Sequence, residues 1–450
     1  MHTRPRVRHH LRRGFASREV KKGKQVKALL ISRNFPPALG GSCVVYQELC
    51  RRMSPDVEVL AAAFDPERES DWDGGQPYRI FRSRSLAPPP PARGPISRTL
   101  RSARVYLWKR PCAVIAAWRS ARKIRPELVC IGSFTQYWLA GFFRRVLGLP
   151  VIFYIHGEEL TSPDTSRLAG PRGFFSALRK ADGVIAVSRF TRSRLLGIGV
   201  SATRIELIPN GVDLGRFTPG ERDPEIVDRY GLRGKRVLLT VGRLEERKGH
   251  ATVLRALPQI LRSCPDAIYV VVGTGDGLPD LGLDALARKL GISDHVVFAG
   301  QAPPERLCAF YRSCDLFVMP NRTLPNGDTE GFGLVFLEAA ACGKPVIGGR
   351  DGGVPDAVVD GETGILVNGT SAEEFADAAV RLLTDHDLAA RLGSQGLRRA
   401  QEMSWEGGAG KFRSFCAKVI QGRTLSPGPP QPDGGTGAQT DTPAAPRNEL

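Results

Sequence analysis

The feature that most constrains this 450-residue chain is a rhythm of short apolar runs and amphipathic helical stretches that is played twice. The first series offers strands at Lys27–Ser32, Val57–Ala61, Leu128–Ile131, Val151–Ile155, Gly183–Val187 and Arg204–Ile208, with helical patterns around 42–53, 97–123, 134–147, 172–180 and 189–196. The second offers strands at Arg236–Val241, Ala267–Val272, His295–Phe298, Leu316–Met319, Pro345–Ile347 and Gly364–Val367, with helices near 250–263, 282–290, 304–312, 334–342, 373–383 and 387–400. Runs this short and this apolar predict strands covered on both faces, and strands alternating with helices predict a parallel sheet. The fold class is therefore α/β, with two facing Rossmann-like doubly wound domains and a cleft between them. The predicted boundaries are 27–212 and 217–403, joined near Pro209–Pro219.

The ends read differently. Residues 1–26 are basic and lack the apolar stretch of a secretory signal, so a disordered arm is expected there. Residues 423–450 are dominated by Pro, Gly, Thr, Gln and Asp, which predicts a disordered tail. The four prolines Pro88–Pro91 predict a stiff exposed loop. No apolar run reaches the roughly 18–20 residues that span a bilayer. The nine cysteines are scattered and form no C-x-x-C pair, a usage that fits a reducing compartment. Cys130, Cys314 and Cys342 read as small core residues.

The net charge of +18 belongs to one half of the chain. Residues 1–215 hold 37 Lys and Arg against 16 Asp and Glu, and the remainder is slightly acidic. Between Arg84 and Arg125 there are eleven basic residues and no acidic one. Within that stretch, 96–125 reads as basic helix carrying Tyr106, Leu107, Trp108, Val114, Ile115 and Trp118, a combination suited to an anionic membrane surface. The alternative is a solvated basic face whose tryptophans pack inward. Nucleic acid is another partner for such charge, but no recognised binding module is present, so none is expected. A cytoplasmic protein, peripheral on the inner face of the plasma membrane, is the expected location.

Chemistry concentrates in the second series. Glu330-Gly-Phe-Gly-Leu-Val-Phe-Leu-Glu338 places two glycines, Gly331 and Gly333, before a helix opening at about Leu334. Backbone there can approach a ligand closely, and the helix start aims N–H groups and partial positive charge at it. Glu330 and Glu338 flank that anion site and suit the hydroxyls of a sugar and a ribose. Gly242-Arg-Leu-Glu-Glu-Arg-Lys-Gly249 follows a strand, where Arg243 and Lys248 can neutralise a diphosphate. Val272-Gly-Thr-Gly-Asp-Gly277, with Gly273 at its start, also follows a strand but does not complete the dinucleotide fingerprint, which weakens an oxidoreductase reading. In the first series His156-Gly157 ends a strand. A glycosidase would use Glu330 and Glu338 as acid and nucleophile; the phosphate-binding features argue against it.

Taken together these motifs resemble glycosyltransferase family 4, retaining enzymes of the GT-B fold. The likeness runs over about residues 27–421 and rests on Gly40-Gly41, His156-Gly157, Pro209-Asn-Gly-Val-Asp213, Gly242-Arg243 with Lys248, and the pair Glu330 and Glu338. It implies that Arg243 and Lys248 hold the donor diphosphate, that Glu330 with the backbone of Phe332 and Gly333 binds the transferred sugar, and that Glu338 binds the ribose. It implies further that Gly41 lets the first domain close on the pyrophosphate, that His156 contacts the sugar near the reacting carbon, and that Asn210 and Asp213 shape the cleft. A helix over 405–421 is expected to cross back onto the first domain. The implied reaction keeps anomeric configuration, needs no metal, and takes a nucleotide sugar as co-substrate and no other cofactor. Met319-Pro-Asn-Arg-Thr and the Glu330 motif look most similar to bacterial mannosyltransferases acting on lipid-linked or polysaccharide acceptors, which favours GDP-mannose. UDP-glucose or UDP-N-acetylglucosamine, a sugar-nucleotide epimerase of the same fold, and a non-catalytic basic binding protein are the alternatives.

Overall fold

Both series become parallel sheets in the computed structural model, which describes residues 26–87, 108–161, 171–275 and 281–424. The first sheet has seven strands, β1 (Ala28–Ser32), β2 (Val57–Ala62), β3 (Ile80–Ser83), β4 (Leu128–Ile131), β5 (Val151–Ile155), β6 (Gly183–Ala186) and β7 (Ile205–Leu207), in the order β3-β2-β1-β4-β5-β6-β7. The second has six, β8 (Arg236–Val241), β9 (Ala267–Val272), β10 (Val296–Gly300), β11 (Leu316–Met319), β12 (Val346–Gly349) and β13 (Ile365–Val367), in the order β10-β9-β8-β11-β12-β13. Strand order reverses direction between β1 and β4 and again between β8 and β11. Crevices open at the carboxyl ends of the strands at such points, and the loops carrying the sequence motifs leave β1, β5, β8 and β11. Residues 1–25 of the basic arm, the Pro88–Pro91 run, the part of 96–125 that precedes Trp108, Gly277 and the polar tail from residue 425 lie outside the described residues, while the predicted tail's first two residues continue the last helix.

Central strands are buried throughout, as in β1 and β5. The edge strand β3 is only half-buried, and Arg82 interrupts it. The preceding helix Pro66–Gly74 anchors that arginine, whose Nη2 donates to Asp73 at 2.7 Å. Neither β3 nor that helix shows in the apolar pattern, because an edge strand bears charge at positions a central one cannot.

Three helices bear on the site, α1 (Gly41–Met53), α3 (Leu334–Ala341) and α4 (Trp405–Thr424), while α2 (Arg110–Ile124) packs against β2 and β3. The linker and the returning chain cross between domains side by side. Val212 N–H donates to Met403 O at 3.0 Å, and a Cβ on Gly211 would fall 2.7 Å from Trp405 N. Beyond this crossing α4 lies on the first domain. Arg52 of α1 donates to Glu406 at 2.7 Å, and Phe412 stacks on Tyr154 of β5 with centroids 6.5 Å apart. Phe412, Phe415 and Cys416 join one apolar layer with Tyr154 of the first domain and Phe332 and Phe336 of the second. Each such aromatic contributes roughly 1.5–3 kcal/mol on burial, so this layer fixes the two domains on a shared seam. All nine cysteines are free thiols, and all but Cys112 are buried.

Candidate active site

The loop after β8 turns through Glu246–Lys248 as one 3-10 turn before the helix His250–Ser263. That tight turn puts the neighbouring side chains Arg247 and Lys248 on one target. Both are buried, with 6% and 8% of their surface exposed, and both reach Glu330. Arg247 donates to Glu330 Oε2 at 2.7 Å and Lys248 Nζ donates to the same oxygen at 3.2 Å. Burial alone would push the Glu330 carboxyl up, but Lys248 and Arg247 outweigh it and hold it down at about 2. A carboxyl held so far down cannot serve as a general acid near neutrality, which removes Glu330 from the proton-donor role of a glycosidase. Arg247 also pairs with Glu245 at 2.5 Å and lies 3.6 Å from Asp328.

Arg247 was not singled out in the sequence; Arg243 was. The structure separates them. Arg243 is half exposed and pairs with Glu245 at 2.8 Å, while Arg247 is the guanidinium at the Glu330 carboxylate. The signal available in the sequence was the Arg-Lys-Gly run before a helix, where a 3-10 turn directs adjacent side chains together.

The long loop after β11 carries Glu330 and is tied down at several points. The buried Asn321 accepts Gly349 N–H at 2.9 Å and donates to Asp351 O at 3.1 Å. Gly353 N–H donates to Glu330 O at 2.8 Å, and Arg322 N–H donates to Arg247 O at 2.8 Å. The loops after β8 and β11 are thereby one piece. Gly242 and Gly273, just after β8 and β9, donate to Val272 O at 2.9 Å and Gly300 O at 2.8 Å, which ties the ends of β8, β9 and β10 together.

Across the cleft the first domain meets this loop backbone to backbone. A Cβ on Gly331 would fall 1.8 Å from the carbonyl oxygen of His156, so only glycine allows the approach. Phe332 is buried, Gly333 caps α3 in the left-handed region at φ 86°, and Leu334 opens the helix. Leu334 in turn faces Gly41, where a Cβ would stand 3.7 Å from its Cδ1; Gly40 precedes that helix. Two helix N-termini, of α1 and α3, thus approach each other at the cleft, and both direct partial positive charge there. Glu338, one helical stretch further, accepts from the hydroxyl of Tyr311 at 2.7 Å, and burial raises its carboxyl.

Asn210 and Asp213 stand elsewhere. Asn210 is buried in the interdomain linker, and the Asp213 carboxylate accepts Gly215 and Arg216 N–H at 2.9 and 3.2 Å, closing a turn at the crossing point. Two further hydrogen bonds join the domains, from Arg189 N–H and Nε to the two oxygens of the Asp356 carboxylate at 2.9 and 2.8 Å. Asp71-Trp-Asp73 and Asp385-His-Asp387 are Asp-x-Asp sequences, a pattern that can hold a nucleotide-bound metal. Asp73 holds Arg82, and Asp385 caps the helix His386–Glu402 through Leu388 N–H at 2.9 Å, so both serve structure.

Two doubly wound domains facing each other across switch-point crevices, with a buried cation pair and two helix starts directed at the cleft, define a protein of the GT-B fold. Family models agree: residues 39–216 match Glycosyltransferase Family 4 and residues 223–399 match Glycosyl transferases group 1. The GDP-mannose-dependent alpha-(1-6)-phosphatidylinositol monomannoside mannosyltransferase of Mycolicibacterium smegmatis is 34% identical over 84% of this chain and 94% of its own length. The Corynebacterium glutamicum enzyme described as a GDP-mannose-dependent monoacylated alpha-(1-6)-phosphatidylinositol monomannoside mannosyltransferase is 29% identical over 84% of this chain and 95% of its own. Among solved structures, sucrose-phosphate synthase from Thermosynechococcus elongatus superposes with a TM-score of 0.71 at 25% identity, covering 88% of this chain and 100% of that one. Anabaena HepE in complex with UDP and glucose gives 0.70 at 20% identity, covering 87% of this chain and 100% of that one, a likeness of fold. The chain belongs to glycosyltransferase family 4 and is a retaining hexosyltransferase.

Proposed function

We propose that this enzyme moves mannose from GDP-mannose to a lipid-linked acceptor at an anionic membrane surface during cell-envelope glycan synthesis. The observation that carries the reading is the buried Arg247–Lys248 pair converging on Glu330 at the switch-point crevice, in a chain whose relatives are named for GDP-mannose and phosphatidylinositol mannosides. A donor diphosphate brings its own negative charge to these cations, while Glu330 keeps acceptor capacity for sugar hydroxyls and Glu338 for the ribose. The starts of α1 and α3 contribute backbone N–H groups, with Gly41 and Gly331 to Leu334 lining the approach. Arg243 stands at the mouth, paired with Glu245.

In the reaction, the bond between the anomeric carbon and the diphosphate oxygen breaks, and the acceptor oxygen bonds that carbon from the same face. The acceptor proton passes to the leaving phosphate. Arg247 and Lys248 supply positive charge where the leaving group gains negative charge, and they do so from fixed positions that need no reorganisation. The scheme uses no metal and no further cofactor. His156 borders the sugar.

Membrane contact is supported by α2 and the residues before it. The helix turns Ala113, Ala117, Ala121 and Ile124 inward and leaves Ile115 and Trp118 exposed at 47% and 40%, and Trp108, just before it, is exposed at 70%. Arg122 lies over the Trp118 ring at 4.7 Å. Exposed indole among Arg and Lys on the acceptor-side domain suits the headgroup region of an anionic leaflet. Among the described residues no helix is long and apolar enough to cross a membrane. The proposed location is peripheral, on the cytoplasmic face.

Thermal unfolding with GDP, UDP and ADP tests the donor. A nucleotide at 100 times its dissociation constant adds about 2.7 kcal/mol. A shift with GDP alone supports mannose; a shift with UDP alone moves the reading to glucose or N-acetylglucosamine; no shift contradicts the site. Incubation with donor and no acceptor, followed by analysis for an epimerised sugar, separates transferase from epimerase.

A further inference from the structure

We propose that Tyr46 is a positioning residue that holds His156 as the Nε2–H tautomer and so presents the Nδ1 lone pair to a hydroxyl of the transferred sugar. The inference rests on the reading of His156 as a sugar contact and adds the device that fixes its polarity.

The tautomer follows from a count of protons. The Tyr46 hydroxyl contacts both the Gly132 carbonyl and His156 Nε2, the latter at 2.7 Å. A carbonyl oxygen only accepts, so the one phenolic proton goes to Gly132 O. The hydroxyl oxygen then has only lone pairs to offer His156, and Nε2 must carry the proton. A neutral ring with Nε2–H has Nδ1 as an acceptor. Among the described residues Nδ1 has no hydrogen-bond partner. Burial favours both neutral forms: it pushes the Tyr46 phenol well above its ordinary range and lowers His156 to about 4.

The surroundings hold the ring in one orientation. Tyr154 stacks on it at 5.2 Å with planes 23° apart, and Tyr46 meets it edge-on at 5.1 Å. The His156 backbone N–H is tied to Glu159 at 3.0 Å. Gly132, at the end of β4, admits the phenol: a Cβ there would lie 2.5 Å from Tyr46 Cζ and Oη. Tyr46 sits on α1 with no exposed surface, so it acts through His156 and not on substrate. A Cβ on Gly331, next to Glu330, would lie 1.8 Å from the carbonyl oxygen of the same histidine, so the His156 backbone borders the loop that the proposed function assigns to the sugar.

The test uses full-length enzyme labelled with 15N in histidine, with His156 assigned by its loss in His156→Asn. Long-range 1H–15N correlation of the wild type should show a protonated Nε2 and an unprotonated Nδ1, and Tyr46→Phe should shift both signals toward a tautomer mixture. In the transferase assay, Tyr46→Phe should lower kcat roughly tenfold to hundredfold, with acceptor KM unchanged. His156→Asn, whose amide oxygen reaches the Nδ1 position, should retain more activity than His156→Gln, which reaches only Nε2. A protonated Nδ1 in the wild type, or Tyr46→Phe with wild-type kcat and unmoved signals, overturns the proposal. Full activity in His156→Ala would instead overturn the sugar contact itself, whatever the spectrum shows. Loss in His156→Ala alongside full activity in Tyr46→Phe removes only the role of Tyr46.

Discussion

Lys248 Nζ lies 3.2 Å from Glu330 Oε2, the same oxygen that accepts the Arg247 guanidinium at 2.7 Å. One carboxylate thus pairs with two buried cations from adjacent residues, and Arg247 is shared further with Glu245. Lys248→Ala removes a fixed charge from the developing leaving group while leaving Arg247 to satisfy Glu330. It should lower kcat by about a hundredfold to a thousandfold with the fold retained by circular dichroism. Full activity would sink the assignment. Lys248→Arg should not restore it, since the guanidinium is too broad for a point-charge site.

The approach of the two domains at Gly331 leaves no room for a side chain. Gly331→Ala would put a Cβ 1.8 Å from His156 O, so this loop must draw back or distort. Activity should fall at least tenfold while nucleotide binding by the second domain persists, read by calorimetry with GDP. Unchanged turnover would mean that the two backbones need not touch during the reaction.

The pH dependence of stability has opposing parts. Glu330, held at about 2 by Lys248 and Arg247 in spite of its burial, stabilises the fold fully above pH 4.5 and loses that effect as pH falls through about 2. The contribution is on the order of 3 kcal/mol. Burial lowers His156 and His250 to about 4, so the stability they carry is full above pH 6.5 and fades as pH falls toward 4. Glu159 runs the other way. Burial pushes it up to about 7, so it favours the fold at low pH and withdraws that support as pH rises through about 7. Glu159→Gln should therefore melt higher at pH 8 relative to wild type, and show a steeper loss in Tm from pH 7 to pH 5. Parallel melting curves would remove Glu159 from this account.

Membrane affinity should reside in the exposed indoles. Trp108→Ser with Trp118→Ser should release the enzyme from phosphatidylglycerol vesicles in a sedimentation assay while leaving nucleotide binding intact. Wild-type binding should weaken as salt rises, since each basic residue near an anionic surface contributes about 1 kcal/mol. Equal binding to neutral phosphatidylcholine would contradict the charge argument.

Much of this architecture was legible in sequence because both sheets are parallel and buried, which forces apolar runs such as Ala28–Ser32 and Ala267–Val272 to announce themselves. The helix at His250–Ser263 and the opening of α3 at Leu334 follow from glycine signals directly before them. What escaped has physical reasons. The edge strand β3 carries charge where a central strand cannot. Arg247 was hidden because its neighbour Lys248 already satisfied the motif, and only the 3-10 turn shows that both point at Glu330. The pairing of Tyr46 with His156 joins residues 110 apart in the chain, and no local pattern encodes it.

The most direct measurement is a transfer assay with GDP-mannose and a phosphatidylinositol mannoside acceptor in anionic vesicles, with the product's anomeric configuration read by NMR. The wild type should form a mannosylated lipid with the α configuration of the donor, and Lys248→Ala should form it about a hundredfold to a thousandfold more slowly. A β-linked product, or no mannosyl transfer by wild-type enzyme that binds GDP, would contradict the proposed function.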